Sequence, residues 1–132
     1  FFGYTYCPDV CPTTLTDISD ALEILGSDAN DIAPIFITID PERDKPKDLK
    51  EYVKHFHPKI IGMSGSAEQV KAAARVYRVF YQKSQEKGAD PHDYLMNHSS
   101  IAYLMGKDGK YLVHFSYGTS AKDMAAKIKS FL

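Results

Sequence analysis

Tyr4-Thr5-Tyr6-Cys7-Pro8-Asp9-Val10-Cys11-Pro12 is the stretch from which the fold is read. Phe1-Phe2-Gly3-Tyr4-Thr5-Tyr6 reads as a buried strand already under way. Beyond the cysteines, Leu15, Ile18, Leu22 and Leu25 fall at helical spacing and stop at Gly26. The two cysteines therefore lie where a strand hands over to a helix. Each precedes a proline, and a residue before proline is pushed out of the α region. The expectation is that neither is helical: Pro12 takes the first helical position, Cys11 is the N-cap, and Cys7 lies in the loop above it. Two helical cysteines at this spacing would hold their β-carbons ~5–6 Å apart, whereas a disulfide wants ~3.5–4.5 Å. A loop-plus-cap arrangement can close to that distance or open to clamp one soft ion. The free N–H groups and dipole of a helix N-terminus favour thiolate, which is nucleophile and metal ligand alike. Two buried, inert cysteines are the competing reading, and it explains neither the prolines nor the place between strand and helix.

Outward from this stretch, strand and helix patterns alternate. Ile35-Phe36-Ile37-Thr38-Ile39 is a short β-branched run of the kind buried on both faces of a sheet. Leu49, Tyr52, Val53 and Phe56 mark a second helix that closes before Pro58, and Ile60 to Met63 is a short strand. Ser66-Ala67-Glu68-Gln69 is a capping box opening a helix with Val70, Ala73, Ala74, Tyr77 and Tyr81 on one face. A polar stretch from Lys83 to Asp93 reads as the one long loop. Ile101 to Met105 and Tyr111 to Phe115 flank Gly106-Lys107-Asp108-Gly109 as an antiparallel hairpin. Ser120 caps a last helix with Ala121, Met124, Ala125, Ile128 and Leu132 inward. With the inserted helix and short strand set aside, the order is βαβαββα. That is the minimal thioredoxin-like layout: an α/β fold, a central mixed sheet with helices on both faces, in one domain over residues 1–132.

Composition excludes several classes. The net charge of -1 supplies no basic field for nucleic acid. No apolar run approaches the ~18–20 residues that span a bilayer. The opening in mid-strand suggests a longer precursor, with any anchor or targeting segment upstream. Cys7 and Cys11 are the whole thiol inventory, too few for a small disulfide scaffold and fit for metal binding or redox chemistry.

Two thiolates make an incomplete shell for copper or zinc, so the five histidines are the candidates for a third ligand. His55 and His57 lie at the exposed end of the second helix and read as solvated surface residues. His114 alternates with Val113 and Phe115 and reads as structural on the other sheet face; His92 is in the long loop. His98 immediately precedes the hairpin strand, and in a thioredoxin-like fold that approach passes beside the cysteine loop. Thioredoxins usually place a cis-proline there, but Met96-Asn97-His98-Ser99-Ser100 has none and offers an imidazole instead. A purely structural His98 stays open. Thiolates favour copper(I), imidazole suits either copper oxidation state, and a closed zinc site would want a fourth ligand. Met96 reads as a packed methionine. The Asp40–Asp44 segment lacks the glycine and closing Glu of an EF-hand loop and reads as a turn into the second helix near the cysteines.

Phe2 to Pro12 with its Cys-Pro-Asp-Val-Cys-Pro string, Thr38-Ile39-Asp40-Pro41-Glu42-Arg43-Asp44, Asp93-Tyr94, His98-Ser99 and the Tyr103-Leu104 to Gly109 hairpin together resemble the Sco/SenC family of copper-binding, thioredoxin-like proteins. The resemblance covers essentially the whole chain. It implies a copper site made by Cys7, Cys11 and His98, holding Cu(I) or Cu(II). It also implies a role in assembling the dinuclear copper centre of cytochrome c oxidase. The partners it implies are the copper-centre subunit of the oxidase and another copper donor protein, with no nucleic acid. An N-terminal membrane anchor and upstream strands are implied too, neither of them within this chain. The location implied is the periplasmic face of a bacterial inner membrane, or else the mitochondrial intermembrane space. The family commonly has Asp before the ligand histidine; here Asn97 stands there, uncharged, with Asp93 as a possible substitute.

Three functions follow in order of fit. A copper metallochaperone uses all three donors and needs no turnover. A thiol–disulfide oxidoreductase, keeping the oxidase's copper-ligand cysteines reduced, uses Cys7 to attack and Cys11 to resolve and has no need of His98. A peroxiredoxin-like peroxidase wants Thr three residues before the reactive Cys, where this chain has Tyr4.

Overall fold

The computed structural model describes residues 1–8, 10–85, 88, 90 and 94–132. Strand β1 (Phe2–Gly3) leads through the cysteine loop into helix α1 (Val10–Leu25), and a 3-10 segment (Gly26–Asp31) returns the chain to β2 (Ile35–Thr38). Helix α2 (Pro46–Val53), β3 (Ile61–Met63) and α3 (Ala67–Tyr77) follow. Then come β4 (Tyr81–Ser84), β5 (Leu95–His98), β6 (Ile101–Met105), β7 (Tyr111–Ser116) and α4 (Ala121–Lys129). The strands form three ladders: parallel β1-β2-β3, antiparallel β4-β5 and antiparallel β6-β7. Phe2 faces Ile37 across the first, and Ile101 faces Ser116 across the last.

Alternation along β2 divides the interior. Phe36 joins Leu15 and Leu22 of α1, Leu49 of α2 and Met124 of α4 in one buried cluster. Its neighbour Ile37 packs against a second cluster holding Phe2, Tyr4, both cysteines and Ala74 of α3. Successive strand residues point to opposite faces, so helices cover both sides of this strand. Fully burying a Leu or Phe side chain contributes roughly 1.5–3 kcal/mol each, and Leu15, Phe36 and Leu49 are all at or below 1% exposure. No helix among the described residues is long and apolar enough to cross a membrane.

Several elements match the sequence pattern closely. Ser66 Oγ accepts the Gln69 N–H while the Gln69 side chain accepts the Ser66 N–H, the capping box in full. Others differ. Helix α1 begins at Val10, so Cys11 is inside its first turn rather than the cap. Pro12 tolerates this because the N–H it lacks belongs to the first turn, where no intrahelical partner exists. Helix α3 stops at Tyr77, since Arg78 adopts the left-handed conformation (φ 56°) and Val79 N–H bonds back to the Ala74 carbonyl at 2.8 Å. Tyr81 is therefore not on the helix but starts β4, and β4 pairs with β5 in a ribbon that replaces the start of the expected long loop. Leu132 is exposed, not inward.

Candidate metal centre

The cysteine loop is a tight turn: Cys7 N–H donates to the Tyr4 carbonyl at 3.3 Å. The chain then rises into α1, and the Cys11 N–H donates to Cys7 Sγ at 3.3 Å. One sulfur thus serves as hydrogen-bond acceptor for an amide that the helix itself leaves unpaired. Cys11 is fully buried (0%) and Cys7 nearly so (8%), and neither is in a disulfide. Gly3 makes room for Cys11: a β-carbon there would lie 2.9 Å from Cys11 Sγ and 2.7 Å from Phe36 Cε2.

The loop rests on a buried carboxylate. Asp44, 0% exposed, accepts the Thr5 N–H at 3.0 Å, the Thr5 hydroxyl, and the Thr38 hydroxyl at 2.7 Å. The Asp40–Asp44 segment is a turn into α2 near the cysteines, as its sequence suggests, but the Asp40 and Asp44 carboxylates are buried, and Asp44 holds the loop. Sequence reasoning missed this because burial of an Asp leaves no periodic trace; the hydroxyls of Thr5 and Thr38 were the available hint.

His98 arrives from the opposite side, as the last residue of β5 paired with Tyr81. Its Nε2 is 3.4 Å from Cys11 Sγ. Its Nδ1 is 2.9 Å from the Ser99 carbonyl, which can only accept, so Nδ1 carries a proton, and in the neutral ring Nε2 is the nitrogen that offers a lone pair. The Tyr4 ring meets the imidazole edge-on at 5.7 Å, and Tyr4 Oη accepts the Met96 N–H at 3.0 Å. One ligand atom each from Cys7, Cys11 and His98 falls within 4.8 Å of the others, and no second such group occurs among the described residues.

The Cys11 thiol does not follow the helix-terminus expectation. Its hydrogen bond with the Cys7 thiol, and then burial, push its pKa well up rather than down. In a dry pocket the penalty on a second negative charge outweighs the helix dipole. A metal ion entering here must displace a proton.

The remaining candidates are not brought to this cluster. His55 is exposed. His57 is largely buried, not a solvated surface residue: its Nδ1 accepts the Lys59 N–H at 3.1 Å and its Nε2 is 3.4 Å from Glu23. His114 is exposed and joined to the Tyr111 hydroxyl at 2.6 Å through Nδ1. Met96 is packed, at 7% exposure. Asn97 is exposed opposite Gln82, and the role considered for its position, holding the imidazole, is filled by the Ser99 carbonyl. His92 and Asp93 lie outside the described residues. Pro8, Val10, Phe80 and Leu95 rim a groove in which Cys7 and His98 are reached from outside.

An α/β frame with two thiols at a strand-to-helix turn and an imidazole facing them defines a thioredoxin-like dithiol protein with a three-donor site. The SCO1/SenC family model matches residues 1–132, and the chain belongs to that family. A SCO2-like protein of Rickettsia conorii is 48% identical over 124 residues, covering 94% of this chain and 60% of the relative. The chain thus spans about three-fifths of the length of that relative. The solved structure of Bradyrhizobium japonicum ScoI with copper bound superposes with a TM-score of 0.90 at 41% identity, covering 100% of this chain and 82% of that one. BsSco, described as a member of the Sco family of cytochrome c oxidase assembly proteins with a disulfide switch, matches at 26% identity and a TM-score of 0.67, covering 98% and 75%. Relatives from Homo sapiens and Arabidopsis thaliana are named as mitochondrial. The thioredoxin-like fold expected from the element order is the fold of these structures.

Proposed function

We propose that this protein is a copper metallochaperone that holds one copper ion through Cys7 Sγ, Cys11 Sγ and His98 Nε2 and passes it to the copper-centre subunit of cytochrome c oxidase. The observation that carries the reading is the convergence of those three atoms within 4.8 Å, with the imidazole tautomer already set to present a lone pair. Two thiolates suit copper(I), and the added imidazole accommodates copper(II), so one site serves both oxidation states. Zinc fits less well, because a closed zinc site wants four protein ligands. The copper-bound relatives support the choice of metal. The groove beside Cys7 and His98 supports delivery by ligand exchange, since an incoming donor reaches the metal from that side. The reading includes a membrane-anchored setting facing the bacterial periplasm, or alternatively the mitochondrial intermembrane space.

A second reading is favoured by the direct contact of the two thiols. Cys7 and Cys11 as a redox pair would reduce the oxidase's copper-ligand cysteines, and such a reductase needs no histidine. His98→Ala separates the two. In the chaperone reading this variant keeps thiol–disulfide exchange, holds copper(II) more weakly, and fails to mature the oxidase copper centre in cells. Normal maturation by a His98→Ala protein that has lost copper would hand the function to the reductase reading.

A further inference from the structure

Arg43 lies outside the three-donor cluster yet packs against a ring on the segment that carries each of its halves. Its guanidinium is 4.2 Å from the centre of the Tyr6 ring, the residue before Cys7. It is 3.6 Å from the Tyr94 ring, the residue before β5, which ends in His98. Its Nε pairs with Asp40 Oδ2 at 2.6 Å, and Oδ1 of the same carboxylate accepts the Tyr94 hydroxyl at 2.6 Å. The Arg43 and Asp40 side chains are 7% and 2% exposed. On β4, Lys83 pairs with Glu42 at 2.6 Å and lies 4.6 Å from the centre of the same tyrosine ring.

A buried ion pair is weak evidence for stability, because desolvation offsets its attraction. What it does supply is direction and separation. A planar guanidinium between two rings, fixed at its edge by a carboxylate, sets the spacing of those rings in a way a flexible ammonium does not. One ring belongs to the cysteine segment and the other to the histidine arm. We propose that Arg43, oriented by Asp40, is a positioning residue that clasps the β4–β5 arm to the cysteine loop and thereby sets the distance between His98 Nε2 and the two sulfurs. It controls imidazole ligation without touching the metal. The inference rests on the copper reading for its metal-dependent consequences and on the fold alone for its geometric one.

The consequence is selective. Cys7 and Cys11 share one loop and helix start, so loosening the clasp leaves their mutual spacing intact. His98 alone is on the far side. Arg43→Lys, which keeps the charge and removes the planar fork, is therefore compared with the parent, with His98→Ala, and with the double variant. In copper-free reduced protein, nuclear Overhauser contacts between the His98 ring and the Cys11 β-protons are expected to weaken in Arg43→Lys. Full parental intensity overturns the clasp, whatever the metal does. In the loaded protein, copper(II) loss to a chelator is expected to be about tenfold faster, within the range for groups that orient a ligand, with an altered sulfur-to-copper absorption band. Copper(I) stoichiometry should remain one per chain. In the His98→Ala background, Arg43→Lys should add nothing, because no imidazole is left to place. An equal Arg43→Lys effect with and without His98 overturns the proposal. If His98→Ala itself leaves copper(II) unaffected, the copper reading fails, and the Overhauser contacts still decide the clasp. Tyr94→Leu, which removes the ring that the guanidinium packs on and leaves Arg43 and Asp40 in place, gives the same test should Arg43→Lys fold poorly.

Discussion

Cys7 and Cys11 are themselves buried, at 8% and 0% exposure, although Tyr6 and Pro8 beside them reach solvent, whereas His98 comes from a strand with one buried residue in four. Beneath the loop are Phe36, Gly3 and the Asp44 carboxylate. The arm has β4 and β5 paired with each other and, among the described residues, with no third strand. An isolated two-stranded hairpin is marginal in water, so the arm depends on side-chain anchors such as the Met96 N–H bound to Tyr4 Oη. The difference teaches how a three-donor site can be graded. The sulfurs, which in the copper reading would set affinity for a soft ion, are held by packing that is costly to disturb. The imidazole, which in the copper reading would extend the site to the harder oxidation state, is held by a few replaceable contacts.

The loop side gives the largest expected effect. With the Cys11 thiol pushed up by its partner and by burial, the proton stays on it through neutral pH in the copper-free protein. In the copper reading, binding at this thiol would release that proton, and apparent affinity would rise with pH, about tenfold per unit for each proton displaced. Competitive copper titrations between pH 6 and pH 8, run beside proton-release measurements, should show this slope. A flat profile would mean that the pair is already ionised and that burial of the thiols imposes no penalty on charge.

Gly3→Ala probes the same side by crowding. The new β-carbon, 2.7 Å from Phe36 Cε2 and 2.9 Å from Cys11 Sγ, meets packed side chains, and overpacking of this kind costs roughly 1–3 kcal/mol. The urea midpoint should fall, and copper retention with it. A parental midpoint would show that the loop yields as easily as the arm, which erases the contrast.

Asn97→Asp gives the smallest effect. The site is exposed, and the imidazole is already oriented by the Ser99 carbonyl. Exposed substitutions usually stay within about 0.5 kcal/mol, and copper(II) affinity should change by no more than that. A larger gain would mean that the arm lacks a charge it needs.

Much of the frame was legible because it rests on local rules. The strand–loop–helix around Cys7 and Cys11, the Ser66 capping box and the hairpin around Gly106 to Gly109 each announce themselves within a few residues. That His98 approaches the cysteines was legible from the order of elements. What escaped depends on tertiary contact. A helix stop at Arg78 without glycine costs roughly 1–2 kcal/mol and leaves no marker in the sequence. Strand β4 is mostly exposed and polar, Tyr-Gln-Lys-Ser, so no apolar alternation reveals it. Cys11 entered the helix despite Pro12, and Asp40 and Asp44 turned inward because hydroxyls, a guanidinium and a phenol awaited them.

The Cys11–His98 contact spans 87 positions in the chain, whereas the Cys11–Cys7 contact spans 4. A polypeptide emerges N-terminus first, at about 5–20 residues per second during synthesis, so the thiol pair is exposed to its surroundings for several seconds before the imidazole exists. A nascent or half-folded molecule can offer sulfur alone. Joining the histidine requires closing a loop across β2, α2, β3, α3 and β4, an entropic demand met only when the intervening contacts form together. The convergence of the three donors is therefore a property of the finished topology. A spectroscopic signature of imidazole on the metal doubles as a measure of how many molecules in a preparation have completed folding.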